Sequence, residues 1–76
     1  LQFARPLKIQ GKYEGEIKGT DALEIGPQAK IQAHIEATHV VVFGHVTGNV
    51  VATEKVELRQ GATLIGNIRA PKLEID

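Results

Sequence analysis

The chain contains no cysteine, so it can form neither disulfides nor thiolate metal sites, and the redox compartment stays open. It has no excess of either charge: nine basic residues balance nine acidic ones, for a formal net charge of zero. That balance argues against a nucleic-acid binder, which carries a basic footprint, and against a polybasic membrane-surface module. No apolar run approaches the ~20 residues of a membrane-spanning helix, and no signal peptide is visible. Aromatic residues are confined to Phe3, Tyr13 and Phe43. A core so poor in rings must be filled by Val, Ile, Leu and Ala in a narrow space. With 76 residues the chain is at most one small domain with little core to spare. It begins with Leu rather than Met, which reads as a piece of a longer chain.

What is present is a repeat. The short motif L-x-I recurs as Leu7/Ile9, Leu23/Ile25, Val40/Val42, Val56/Leu58 and Leu73/Ile75, in steps of 16, 17, 16 and 17 residues. Two steps make 33 residues, and at that offset Gly11 meets Gly44, Gly15 meets Gly48, Glu24 meets Glu57 and Ala37 meets Ala70. Between the L-x-I units lies an alternation of large and small residues, as in VTGNVVAT (46–53) and LIGNIRAP (64–71). Period-2 alternation means strands, because successive side chains on a strand point to opposite faces. Helical spacing is absent. A unit of this length is too short for strand, crossover helix and strand. It suits one coil of a β-helix, with coils ~4.8 Å apart.

Aligning the repeats produces vertical columns. Two are Leu7-Leu23-Val40-Val56-Leu73 and Ile9-Ile25-Val42-Leu58-Ile75. Two more are Tyr13-Ile31-Val46-Leu64 and Ile17-Ile35-Val50-Ile68. Each of the latter is followed by a small column, Gly15-Ala33-Gly48-Gly66 and Gly19-Ala37-Ala52-Ala70. Large residues are expected to fill the coil, with Gly or Ala where the opposite wall or a corner comes close. Gly11, Gly44, Gly61 and Gly26-Pro27 are expected at corners. In the outward columns Lys8 should stand beside Glu24 and Lys18 beside Glu36, opposite charges on neighbouring coils. Glu57 over Glu74 is an exception to that pattern.

No constellation for chemistry emerges. His34, His39 and His45 fall in different outward columns, without metal-ligand spacing, and read as solvated surface residues. The stretch IGPQAKI (25–31) matches one unit of the hexapeptide repeat of left-handed β-helix acyltransferases. That family needs unbroken hexads around a longer coil, and here the next hexad is IQAHIE, so the match reads as a corner. Carbohydrate-cleaving β-helices need clustered carboxylates, nucleotide sites need a phosphate-cradling glycine loop, and ice-binding ladders need outward T-x-T rows; none is found. The expectation is no catalytic residue, no cofactor, no metal and no nucleotide.

The columns, together with GHVTGNVVATEKVEL (44–58) and GATLIGNIRAPKLEI (61–75), resemble the bactofilin family, polymer-forming bacterial cytoskeletal proteins. The G-N-[IV]-x-A units at 48–52 and 66–70, each followed by [VL]-E-[IL] at 56–58 and 73–75, carry the likeness. It covers residues 7–76. The resemblance implies an all-β fold, a single-stranded right-handed β-helix or solenoid, here with about four to five coils of 16–17 residues. Residues 1–6 would be a tail or partial cap and 7–76 the β-helix core, truncated at its C-terminal end. It also implies a structural, non-enzymatic subunit that forms filaments without nucleotide. The subunit would be cytoplasmic, with association at the inner membrane through a tail outside this sequence.

Physical reasoning adds where such a subunit would join its copies. A β-helix has two ends that expose strand edges, and exposed edges invite pairing with another chain. The expected end-to-end contact uses Leu73 and Ile75 on one side, and Leu7 and Ile9 with Phe3 as a lid on the other. Val41, Phe43, Val51 and Ile65 are outward apolar residues and candidates for a lateral contact patch, against the alternative of scattered surface hydrophobes. Two other readings stand beside the polymer: a hexapeptide-type acyltransferase, and a passive binding module on a β-helical scaffold.

Overall fold

A computed structural model describes residues 2–76. Among these there are eight strands and no helix. They are β1 (Gln2–Phe3), β2 (Leu7–Ile9), β3 (Lys12–Gly19) and β4 (Ala22–Ile25). β5 (Lys30–Val42), β6 (His45–Leu58), β7 (Thr63–Arg69) and β8 (Leu73–Ile75) follow. Every ladder is parallel. A strand that always finds its parallel neighbour one repeat later must travel round and return, so the chain is a β-solenoid of about four turns.

The registers match the columns read from the sequence. Leu7 pairs with Leu23, Leu23 with Val40, Val40 with Val56 and Val56 with Leu73. Tyr13 pairs with Ile31, Ile31 with Val46 and Val46 with Leu64. The inward members of the middle coils form the core: Ile17, Leu23, Ile25, Ile35, Val40, Val42, Val46, Val50 and Val56 have no exposed surface. Phe3, Leu7, Ile9 and Tyr13 at one end, and Leu58, Leu64 and Ile68 at the other, pack against that cluster half-buried.

Corners keep the ladder going. Gly26 N–H donates to the Ile9 carbonyl at 2.8 Å, Phe43 N–H to Ile25 at 2.8 Å, and Arg59 N–H to Val42 at 2.9 Å. Buried backbone groups are therefore paired through the bends as well as along the strands. Gly11 and Gly61 take φ of 86° and 87° at their corners, a region favourable only to glycine.

The small column has a different cause from the expected one. Gly48 and Gly66 take φ of 128° and 129°. A Cβ on Gly48 would lie 2.4 Å from the Ala33 carbonyl oxygen, and one on Gly66 would lie 2.0 Å from that of Gly48. The obstacle is the backbone of the preceding coil, not a side chain from the opposite wall. The missing side chain would point along the stacking axis, where coils are too close to admit an atom.

Candidate assembly interface

The two ends of the solenoid differ. β7 and β8 pair only with β6, so among the described residues their outer edges carry no partner strand. Next to those edges Ile65 is 56 % exposed, Leu73 49 % and Ile75 72 %, among the described residues the large hydrophobic residues most open to water. At the N-terminal end Leu7 and Ile9 are half-buried. There β1 covers part of β3, pairing Gln2 with Lys18 and Phe3 with Gly19. The Phe3 ring lies where a Cβ on Gly19 would be 2.3 Å from it. The expected end residues thus sit at the two ends, with the same Leu-x-Ile triplet in the same columns at both.

The lateral candidates do not meet as one patch. Val41 stands between Glu24 and Glu57. Val51 stands between Glu36 and Arg69, and Ile65 beside Thr47. Phe43 is in the corner after β5. These are three separate outward columns and a bend, with Val41, Phe43 and Val51 half-buried.

Outward charges pair across coils as expected: Lys8 lies 3.4 Å from Glu24 and Lys18 lies 3.6 Å from Glu36. Both pairs are solvent-exposed and contribute little each. The Glu57–Glu74 juxtaposition, an exception in the sequence, is resolved by Lys55, which reaches Glu74 at 2.9 Å and Glu57 at 3.8 Å.

Glu57 itself is only 7 % exposed. Its carboxylate accepts from His39 Nε2–H at 2.5 Å and from the Arg59 guanidinium. Hydrogen bonding by His39 holds its pKa below the ordinary carboxylate range; burial works in the opposite direction, and Arg59 and Lys55 add to the lowering. This corrects the reading of the histidines. His39 is not a solvated bystander but a half-buried partner of a buried acid, and His34 stands 3.6 Å from Glu36. His45 is exposed. The signal was present in the sequence: Lys55, Glu57 and Arg59 alternate on one strand face, with a histidine one coil earlier.

IGPQAKI folds as a corner. Ala29 N–H donates to the Gly26 carbonyl at 3.1 Å to close a turn over Pro27 and Gln28. The next hexad runs straight as part of β5. Among the described residues no group of three or more His, Asp or Glu side chains could hold a metal ion.

Comparison with known proteins points to one family. A family model described as "Bactofilin: Polymer-forming cytoskeletal" matches residues 1–76. The chain is 39 % identical over 69 residues to Bactofilin BacO of Myxococcus xanthus (strain DK1622), covering 91 % of this chain and 55 % of that protein. It is 36 % identical over 69 residues to Bactofilin BacP of the same organism, covering 91 % of this chain and 29 % of that protein. The chain therefore spans little more than half of one curated relative and less than a third of the other. No solved structure matches it.

Proposed function

The chain belongs to the bactofilin family of polymer-forming cytoskeletal proteins, and from that premise we propose that its solenoid is a structural unit that joins copies of itself end to end, without nucleotide. The observation that supports this most is the C-terminal end. Among the described residues the outer edges of β7 and β8 carry no partner strand, and Ile65, Leu73 and Ile75 beside them are well exposed. A second solenoid stacked on it would extend the backbone ladder and continue the aliphatic columns. Burying one such side chain contributes roughly 1.5–3 kcal/mol. The same reading makes the protein a scaffold rather than an enzyme, working in the cytoplasm with attachment to the inner membrane; that location rests on the family likeness and is checked by cell fractionation.

Sedimentation and electron microscopy of the purified protein and of Ile75→Arg test the proposal. Wild type should pellet as polymer in the absence of nucleotide. Arg at the contact would be buried without a partner, so Ile75→Arg should remain folded and stay largely in the supernatant, while Glu36→Arg pellets like wild type. Equal assembly of Ile75→Arg and wild type would remove this end from the contact. Where coils follow Asp76 in the whole protein, the substitution belongs at the corresponding position of the last coil.

A further inference from the structure

We infer that Tyr13, together with Phe3, forms a lid over the N-terminal strand edge, and that a second copy must displace this lid before adding a strand there. The inference rests on the end-stacking reading and concerns how one end is regulated.

Gly15, Gly48 and Gly66 share one backbone conformation, with φ of 129°, 128° and 129°. At Gly48 and Gly66 the Cβ direction runs into the carbonyl of the coil before. At Gly15, in the first coil, the same direction leads out of the solenoid, to where a preceding coil would lie. That space holds the ring of Tyr13: a Cβ on Gly15 would be 3.7 Å from its Oη and 3.9 Å from its Cε1. The other members of the Tyr13 column, Ile31, Val46 and Leu64, are aliphatic. Only the longer tyrosine reaches across the edge.

Its hydroxyl finds a definite partner there. Tyr13 Oη–H donates to the Glu16 carbonyl at 3.0 Å. Carbonyls alternate sides along a strand in a parallel ladder. The Gly11 carbonyl accepts from Lys30 N–H and so faces the second coil. Glu16, an odd number of residues on, presents its carbonyl to the opposite, outer edge. Tyr13 therefore occupies an acceptor that an added strand would use. Next along the edge, β1 pairs with Lys18 and Gly19, and the Phe3 carbonyl takes the Thr20 N–H at 3.2 Å. The chain thus covers its own edge around Glu16 and from Lys18 to Thr20. Among the described residues no aromatic ring lies over the outer edges of β7 and β8; the third aromatic residue, Phe43, lies in the corner after β5. Covering a strand edge is a recognised defence against strand addition.

Tyr13 is the sole tyrosine and tryptophan is absent, so tyrosine emission reports this position alone. Three measurements on the purified protein decide the inference. Tyr13→Phe keeps the ring and removes the hydroxyl; it should lower the critical concentration for assembly about fivefold, the effect of one neutral hydrogen bond. Tyr13→Leu restores the aliphatic column and should lower it further and shorten the lag. In wild type, acrylamide quenching of tyrosine emission should change as polymer forms. Wild-type critical concentration and lag in both variants, each folded by circular dichroism, would overturn the lid, and so would quenching that stays constant through assembly. Absence of polymer in every variant, wild type included, would overturn the end-stacking reading and the lid with it. Acceleration by Tyr13→Phe with no effect of Ile75→Arg would keep the lid and place growth at the N-terminal end.

Discussion

Replacing Gly48 by Ala adds one methyl group and tests the stacking geometry directly. Two costs arise. A non-glycine residue held in this sparsely populated backbone region costs of order 1–3 kcal/mol. The new Cβ would also sit 2.4 Å from the Ala33 carbonyl oxygen and 3.2 Å from its carbon, so the coils must separate locally and ladder bonds lengthen. Gly15→Ala isolates the first cost. Its φ is the same within a degree, but its Cβ would meet only the Tyr13 ring at ordinary contact distances of 3.7–3.9 Å. A domain of this size has total stability of roughly 4–11 kcal/mol at about 0.05–0.15 kcal/mol per residue. Each kcal/mol shifts Tm by about 4–8 °C in this size range. Gly15→Ala should lower Tm by about 4–24 °C, and Gly48→Ala clearly further, enough to threaten folding. Thermal melts of the strand signal in circular dichroism, backed by urea midpoints, give the comparison. If Gly48→Ala were no more destabilising than Gly15→Ala, close approach of the coils would not be the reason for glycine, and the account of the small column would fail.

Other outcomes follow from the same geometry. Ile75→Arg should stay soluble while Glu36→Arg polymerises, read by sedimentation. Glu57 has a folded-state pKa below its unfolded value, so its ionised contacts stabilise the fold above the ordinary carboxylate range and lose that effect as pH falls through the folded pKa. Glu57→Gln should therefore lower Tm at neutral pH, with the gap to wild type narrowing on acidification; a gap constant with pH would contradict the assignment. A chelator should leave both Tm and assembly unchanged, and a chelator-induced loss of either would point to a metal site that the sequence does not announce.

The columns were legible because parallel stacking lays each repeat directly over the last. Leu over Leu and Ile over Ile survive as a period in the sequence, and the period gives register without a structure. The orientation of the glycine column was not legible: alternation says which face a residue belongs to, but a positive φ turns the side-chain direction toward the axis, and no pattern of letters records φ. The Glu57 cluster was missed for another reason. Its ladder neighbours are Val41 and Glu74, and comparing stacked residues shows an unpartnered acid beside another acid. The stabilising contacts run diagonally, from His39 in the coil before, and along the same strand face, from Lys55 and Arg59. Tyr13 escaped in the same way. Its column position says inward, while its length and hydroxyl carry it over the edge.

Similar coils raise the question of what stops the chain from pairing one coil out of register, since every column would still place aliphatic on aliphatic. The corners answer it. Three residues lie between Ile9 and Tyr13 and between Val42 and Val46, whereas five lie between Ile25 and Ile31 and between Leu58 and Leu64. Tight and wide corners therefore alternate, and they nest. A Cβ on Gly44, in a tight corner, would lie 2.3 Å from the Gly26 carbonyl and 2.8 Å from that of Ala29, both in the wide corner before it. At the other bend the register shifts between Ala37 and His39, where β5 and β6 take different numbers of residues. A slip by one coil would set tight on tight and wide on wide and would misplace both bends. A slip that preserves the nesting must span two coils, and it forfeits half of the core. Register in sheets is strongly specified only where something distinguishes the alternatives. Here the distinction comes from the bends rather than from the apolar columns, and any copy stacked on an end of this solenoid meets the same alternation.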